Sequence, residues 1–257
     1  LDLAHNEWAL KSVSAPLSSG LITASTTFLP VYGALYYVVE LMGGGGGSGG
    51  VHDATATQLY VSSAGAGGGY CRAIVPASAV TGGVSVTIGA GGAAGTGGSS
   101  STSGTQGGTT SFGAFCSAAG GNGGDPSTLV TSTSLFLSVP QATGGSVTVT
   151  TGDNFGSQRG GLGGTGNGFN NGTTWAVTTP NGGQPPTGGD RGTDSFTLAT
   201  SLGSTASGTA SASSVGGSTP GNNTGCGCHG NYAAYGGSGG SGCPGSSGWA
   251  RITAFFQ

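Results

Sequence analysis

Short runs in which apolar and small polar residues alternate recur through most of the chain. The alternation is clearest at residues 84–88 (Val-Ser-Val-Thr-Ile) and 147–151 (Val-Thr-Val-Thr-Thr), which predicts half-buried strands. Other runs are rich in Val, Thr, Ile, Phe and Tyr, and turn-forming residues bound nearly all of them. The pattern predicts strands over residues 34–42, 57–63, 70–75, 84–88, 109–117, 134–139, 146–151, 173–179, 194–200 and 249–256.

Glycine fills the intervals between these runs. It accounts for 60 of the 257 residues, and five glycines are consecutive at 43–47. Wholesale disorder is excluded, because the runs can bury side chains and only 5% of the residues are charged. Collagen is excluded because the glycines of 89–98 break the every-third-residue phase. Glycine runs have no side chains on any face, so neighbouring backbones can approach closely. We therefore predict polyproline-II (PPII) packing for the longest glycine clumps and tight turns for the short ones.

The predicted fold class is therefore mainly β with irregular glycine-rich structure: short antiparallel strands plus a packed bundle of PPII-like segments. Residues 1–27 differ in composition, since they hold Lys11, the only lysine, and a single glycine. We predict a neck or attachment segment over 1–27 and one glycine-rich domain over 28–257. The chain begins with leucine and shows no signal segment, so we expect it to be the C-terminal part, or a processed product, of a longer chain.

Charge narrows the possible functions. The chain has five basic residues and a net charge of −3, so no basic patch is available to neutralise several phosphates, and we predict no nucleic-acid partner. The longest apolar run, 34–42, is too short to span a bilayer, so we predict no membrane insertion. The histidines lie far apart and the eight acidic residues are spread thinly, which favours neither an enzyme nor a cofactor site.

The cysteines leave three readings open. Cys226, Cys228 and His229, with Cys243, could supply four ligands to zinc, but the Cys-x-Cys-His spacing is tighter than usual. The same cysteines could form one disulfide, or remain inert thiols between packed backbones. Cys71 and Cys116 lie on predicted strands, where we expect them to be small core residues. Five cysteines cannot all pair within one chain.

Three blocks of the chain resemble a known family. They are Thr27-Phe-Leu-Pro30 with the strand and glycine clump of 36–50, then 85–92 with 107–124, and finally 236–256. The order of strand, Gly-x-Gly-Gly, Thr/Ser-Ser-Phe-Gly and Gly-Gly-x-Gly-Gly is similar to the glycine-rich C-terminal domain of bacteriophage tail-fibre proteins. The blocks frame residues 27–257, and the middle, about 125–225, follows the pattern loosely.

The resemblance implies a virion protein at the fibre tip, made in the host bacterial cytoplasm. It also implies attachment to the rest of the tail fibre and a homotrimer. We therefore expect a non-catalytic adhesin that binds a bacterial surface receptor: a polysaccharide, a pilus or an outer-membrane protein. The alternative is a structural glycine-rich filament or cell-surface matrix protein, which would polymerise without limit.

Aromatic and charged residues in the polar loops are the candidate receptor contacts, because loop aromatics on a rigid scaffold stack on sugars or anchor in a partner. The specificity is expected within 125–235. The candidate residues are Phe155, Arg159, Phe169, Trp175, Asp190, Arg191, Tyr232 and Tyr235.

Overall fold

Two pairs of β-sheets flank a bundle of glycine-rich segments. A computed structural model describes residues 16–55, 57–130, 137–164, 167–170, 174–178, 205–209, 213–215, 224–234 and 236–256. The strands are β1 Leu17–Ser18, β2 Thr26–Phe28, β3 Tyr36–Met42, β4 Leu59–Val61, β5 Tyr70–Pro76, β6 Val84–Thr87, β7 Thr110–Phe112, β8 Cys116–Ala118, β9 Thr128–Val130, β10 Leu137–Ser138, β11 Val147–Val149, β12 Asp153–Asn154, β13 Asn167–Asn170, β14 Thr174–Thr178, β15 Thr205–Thr209, β16 Ser213–Val215, β17 Tyr232–Ala234 and β18 Trp249–Phe255. One three-residue 3-10 helix, Ala77–Ala79, is the only helical piece among these described residues.

The larger pair of sheets forms a sandwich with a side-chain core. One sheet has the order β1-β18-β3-β5-β12 and the other β11-β8-β7-β6-β2, and every pairing is antiparallel. Alternate residues of β3 point inward, so Tyr37, Val39 and Leu41 are buried while their neighbours are half-buried. They meet Val86 and Phe112 of the facing sheet. Burial thus alternates along most of β3, as expected for a strand with one face on an apolar core.

The smaller pair of sheets lies at the other end of the bundle. Its orders are β16-β17-β4-β9 and β10-β13-β14-β15. Leu59, Val61, Val130 and Tyr232 form a separate apolar cluster there. A Cβ atom placed on Gly168 of β13 would contact Val130, Val61 and Leu59, so the two small sheets face each other across this cluster.

Nine glycine-rich segments of the described chain make up the bundle. They are segment I (43–51), II (62–69), III (89–98), IV (102–108), V (119–127), VI (142–146), VII (158–163), VIII (225–231) and IX (237–248). Segment I continues directly from β3, segment II leads into β5, and segment IX leads into β18. At this junction Met42, Tyr70 and Trp249 pack together as the last large side chains of the sandwich.

The hydrogen bonds of segment I repeat every three residues. Its N–H groups at 43, 46 and 49 donate to segment II, those at 44, 47 and 50 to segment IV, and those at 45, 48 and 51 to segment IX. The nine N···O distances lie between 2.8 and 3.2 Å. A step of three residues per neighbour is that of the PPII helix, which turns once per three residues and makes no internal hydrogen bonds.

The carbonyl groups of segment I accept hydrogen bonds with the same three-residue period. Those at 45, 48 and 51 accept from segment III, those at 44, 47 and 50 from segment V, and Gly46 accepts from Cys228 of segment VIII. Segment I is thus surrounded by six others, in the order II, V, IV, III, IX and VIII, and antiparallel segments alternate with parallel ones. Segments VI and VII add to this ring beside segments II and V.

Close packing of backbones explains the glycines. A Cβ atom on Gly45 would overlap the carbonyl of Cys226, and one on Gly46 would overlap the carbonyl of Asn122. The whole of 43–50 is buried, and Ser48 is its only residue with a side chain. The Oγ of Ser48 accepts a hydrogen bond from the N–H of Cys243 at 3.0 Å. The five consecutive glycines therefore mark the centre of the bundle.

The predicted fold class is confirmed, and some of its details change. Short clumps such as Gly120-Gly121 also lie in the bundle rather than in turns. Residues 17–28 were assigned largely to the neck, yet β1 pairs with β18 and β2 with β6, so the sandwich includes them. The 109–117 strand is split into β7 and β8 by a turn at Gly113, which has a φ of 49°. The predicted strand over 194–200 lies outside the described residues.

Candidate functional site

The molecule has two unlike ends. We call the end of the sandwich away from the bundle the proximal end. Leu17 pairs with Ala254 there and the N–H of Leu35 donates to the carbonyl of Phe255, so both termini of the described chain meet at this end. Leu17, Leu29, Tyr32 and Leu35 are exposed at this end, and Tyr32 is fully exposed. At the distal end lie the small sheets and the connections between segments, which are rich in Ser, Thr and Asn. A fixed bundle separates the two ends.

Two predicted contact residues lie on the body of the molecule. Phe155 follows β12, and its N–H donates to the carbonyl of Arg72 at 2.8 Å. The guanidinium carbon of Arg72 is 5.0 Å from the centre of the Phe155 ring, which is a cation–π distance. The Nε of Arg159 donates to the carbonyl of Gly144 at 3.3 Å, so this side chain caps neighbouring backbone. Neither residue belongs to the distal end.

Two other predicted residues lie together at the distal end. Phe169 is in β13 and Trp175 in β14; Phe169 is opposite Ala176, and Trp175 is opposite Asn170. These two positions therefore belong to one antiparallel strand pair, but to opposite faces of it, because opposed residues share a face and successive residues alternate. The backbone of Trp175 is also opposite Gly208 of β15, so the pair continues into a three-stranded arrangement.

The remaining predicted residues give one correction. Tyr232 is in β17, between Val61 and Val215 of its neighbours, and only 3% of its surface is exposed. It packs in the distal apolar cluster, so the expectation of a loop aromatic is wrong at this position. Asp190, Arg191 and Tyr235 lie outside the described residues.

A polar cluster at the distal end was missed by the sequence analysis. We define the distal polar cluster as His52, Asp53, Ser101 and Ser127. The Oγ of Ser127 accepts from the N–H of His52 at 2.9 Å and donates to Ser101 at 3.2 Å. The carboxylate of Asp53 accepts from the N–H of Gly239 at 2.6 Å. These bonds tie together the ends of segments I, III, V and IX.

An aromatic ring adjoins this cluster. Tyr60 of β4 stacks on the His52 ring with 5.0 Å between the ring centres, and it packs on Val51, Ala54 and Ala233. The Nδ1 of His52 is 2.8 Å from the carbonyl oxygen of Asp53, so Nδ1 carries the proton, since a carbonyl only accepts. The signal that could have found this cluster is the His52-Asp53 pair placed directly after the glycine-rich stretch of 43–51.

The cysteines resolve into a disulfide and three thiols. Cys228 of segment VIII and Cys243 of segment IX form a disulfide, with 5.7 Å between their Cα atoms. Ser48 of segment I lies beside both sulfur atoms. Cys71, Cys116 and Cys226 are buried and lie outside this disulfide. Burial raises the pKa of the Cys226 thiol, and a hydrogen bond with Thr224 opposes this shift.

The disulfide removes two of the four proposed zinc ligands. Within the described residues, no group of three or more His, Cys, Asp and Glu side chains is arranged to hold a metal ion. His229 is buried beside the disulfide, where its carbonyl oxygen lies 3.3 Å from the Sγ of Cys228. Of the three readings for Cys226, Cys228 and Cys243, the single disulfide is the one that the structure contains.

A family model described as a glycine-rich domain matches residues 22–255, a range that includes the bundle and nearly all of the sandwich. The chain belongs to this glycine-rich domain family. The match begins within the stretch between β1 and β2 and ends at the last residue of β18.

The glycine-rich domain has no match among the curated proteins. In the ranges of the chain that the structure describes, no helix is long and apolar enough to cross a bilayer. The distal end carries several polar groups and an aromatic ring. Hydroxyl, carboxylate and imidazole groups there are fixed by hydrogen bonds to backbone, and an aromatic ring lies beside them. Such groups can bind a polar or saccharide surface without reacting with it.

Proposed function

We propose that this protein is the tip of a bacteriophage tail fibre, an adhesin that binds a bacterial surface receptor without catalysis. The observation that carries the proposal is the separation of the two ends by a bundle whose central backbone groups are hydrogen-bonded to neighbouring segments. The tail-fibre resemblance of 27–50, 85–124 and 236–256 supports the same role. All three blocks contribute to that bundle: 43–50 as segment I, 89–98 as segment III and 237–248 as segment IX.

The mechanism is rigid display. Segment I is held by six neighbours, so the strands and turns at the distal end have fixed positions before any partner arrives. Preorganisation of this kind lowers the entropy that is lost on binding. The contacts come from the β13–β14 pair with Phe169 and Trp175, from the distal polar cluster and from the connections of 125–235. Low net charge suits contact with cell surfaces of different charge.

The proximal end provides the attachment to the rest of the fibre. Four large side chains there are exposed to solvent in the isolated chain: Leu17, Leu29, Tyr32 and Leu35. Grouped apolar side chains at one end are typical of a protein contact. A homotrimer on the fibre shaft would cover them and would leave the three distal ends free to meet the receptor.

Cell binding tests the proposal. The fluorescently labelled protein is expected to bind saturably to some strains of a bacterial panel, and not to others. Periodate treatment of the cells removes the binding if the receptor is a polysaccharide. Protease treatment removes it if the receptor is a pilus or an outer-membrane protein. No saturable binding to any strain, together with open-ended growth in light scattering, would establish the filament alternative instead.

A pair of variants locates the binding end. The double variant Phe169→Ala with Trp175→Ala is expected to lose adsorption and to keep its assembly state. The control, Leu162→Ser, changes an exposed apolar residue of segment VII, away from both ends, and is expected to adsorb normally. Normal adsorption by the double variant would remove the β13–β14 pair from the receptor-binding surface.

A further inference from the structure

Two free thiols face each other across the sandwich. Cys71 lies in β5, opposite Leu41, and Cys116 lies in β8, opposite Phe112 and Val149. Both side chains point into the same core, where Cys71 is 0% and Cys116 2% exposed. The two thiols lie close enough to influence each other's pKa. They belong to different sheets, so a bond between them would join the two halves of the sandwich.

Small residues bring the sheets together at this point. The inward positions are Cys71 and Ala73 on β5 and Cys116 and Ala118 on β8. Because none of these side chains is large, Cα atoms of the two strands approach to within 8 Å. Facing sheets are usually about 10 Å apart. Strands this close lie near the separation of about 7 Å below which a disulfide can bridge two Cα atoms.

We propose that Cys71 and Cys116 form an inter-sheet disulfide when the chain folds in the presence of a small disulfide oxidant such as oxidised glutathione. The Cys71 thiolate attacks one sulfur of the oxidant, which breaks the oxidant's S–S bond and releases one glutathione thiolate. The Cys116 thiolate then attacks the Cys71 sulfur of the mixed disulfide and releases the second. The two protons lost by the cysteines end on the glutathione, which is reduced as the pair is oxidised.

The two thiols are inequivalent in the closed sandwich. The hydrogen bond from Cys116 lowers the pKa of Cys71, although burial opposes the shift. The same hydrogen bond and burial raise the pKa of Cys116. These shifts exist only after the sheets have closed, so they do not decide which thiolate attacks first in the folding chain, and first attack by Cys116 would give the same bridge.

Burial sets the time at which the bond can form. An oxidant cannot reach thiols that are 0% and 2% exposed, so the reaction belongs to the folding chain, before the sheets close. A chain folded in a reducing cytoplasm keeps both thiols. A chain folded in an oxidising medium gains a second cross-link, in addition to Cys228–Cys243. The proposal is independent of receptor binding.

Refolding tests the inference. The reduced, denatured protein is refolded in a mixture of oxidised and reduced glutathione, and its thiols are then alkylated in denaturant and mapped by mass spectrometry. One thiol, Cys226, is expected to be alkylated, and a fragment pair linked through Cys71 and Cys116 is expected. Alkylation of three thiols, or a bridge from either cysteine to Cys226, would overturn the proposal.

Two variants keep the test decisive. Cys116→Ala and Cys71→Ala each leave a small apolar side chain in the core, and each is expected to show two alkylated thiols after oxidative refolding. Either variant that folds suffices as the control. A single alkylated thiol in a folded variant would mean that the remaining partner pairs elsewhere, which contradicts the assigned bridge.

Discussion

The sandwich and the bundle keep water out in different ways. In the sandwich, Tyr37, Leu41 and Phe112 fill the space between two sheets with side chains. In the bundle, segment I fills the equivalent central space with backbone, and its N–H and C=O groups point outward to six neighbours. The sandwich core is apolar and its hydrogen bonds run within the sheets, whereas the bundle core consists of the hydrogen bonds themselves.

Different kinds of substitution therefore destabilise the two cores. Removing atoms from an apolar core leaves a cavity and loses buried area. A bundle of glycine backbones has almost no side-chain atoms to lose, and its weakness is the addition of an atom, since a Cβ on most central glycines would overlap a carbonyl group. The expectations below run from the largest effect on stability to the smallest.

Adding one methyl group at the centre of the bundle should have the largest effect. Gly45→Ala would place a Cβ on the carbonyl of Cys226, so backbone must move and its hydrogen bonds must break. We expect a loss of more than about 4 kcal/mol in the free energy of unfolding, the upper end for one substitution. Urea unfolding followed by tryptophan fluorescence measures this loss.

Gly240→Ala is the matched control. Gly240 is in segment IX and accepts the N–H of Val51, yet a Cβ there would meet nothing within 4 Å. We expect a change of less than about 1 kcal/mol. Equal losses in the two variants would show that glycine flexibility, and not close backbone approach, determines the stability of the bundle.

Removing a ring from the sandwich should come next. Phe112→Ala deletes a fully buried ring whose centre lies 5.6 Å from those of Phe28 and Phe115. We expect a loss of about 3–5 kcal/mol, because the space cannot fully collapse. The exposed Leu29→Ala should change the free energy of unfolding by less than about 0.5 kcal/mol. A similarly small change for Phe112→Ala would contradict a side-chain core.

Breaking the disulfide should have an intermediate effect on the bundle. The double variant Cys228→Ala with Cys243→Ala releases a cross-link over a sequence separation of 15 residues. Loop entropy in the unfolded chain predicts a loss of about 3 kcal/mol. Cys226→Ala removes a neighbouring buried thiol without a cross-link and should lose roughly 1 kcal/mol. If the two losses coincide in urea unfolding, the backbone bonds alone hold segments VIII and IX.

Deleting a single hydroxyl should have the smallest effect. Ser48→Ala removes the acceptor of the Cys243 N–H at the centre of the bundle. A buried donor left without a partner should lower the free energy of unfolding by about 1–3 kcal/mol. Ser103→Ala, at an exposed position of segment IV, serves as the control, with less than about 0.5 kcal/mol expected. No loss in Ser48→Ala would mean that the N–H finds another acceptor.

Sequence patterns predicted the sandwich better than the rest. The alternation over 84–88 identifies β6 because inward valines alternate with exposed polar residues. It fails for β17, whose Tyr-Ala-Ala sequence is buried on every side and has no polar face. This is also why Tyr232 was mistaken for a loop aromatic. A strand that is enclosed by neighbours carries no alternation to detect.

The neighbours within the bundle were beyond sequence reasoning. The glycine clumps predict that backbones pack closely, but a residue without a side chain does not encode which segment lies beside it. The distal polar cluster was missed for the same reason, because His52, Ser101 and Ser127 meet only when segments I, III and V lie side by side. Among the predicted contacts, only Phe169 and Trp175 have their backbones brought together by strand pairing.

The alternating ring around segment I has a consequence for how this protein can diverge. Each PPII residue advances the chain by about 3.1 Å, so inserting three residues into one segment would shift everything beyond it by roughly 9 Å relative to its neighbours. Any other insertion length would also rotate the remaining glycines away from the carbonyls they face. Segments can thus change length only in concert, in multiples of three residues. Connections at the ends are free of this constraint, so we expect related chains to vary there in length while the bundle keeps one height.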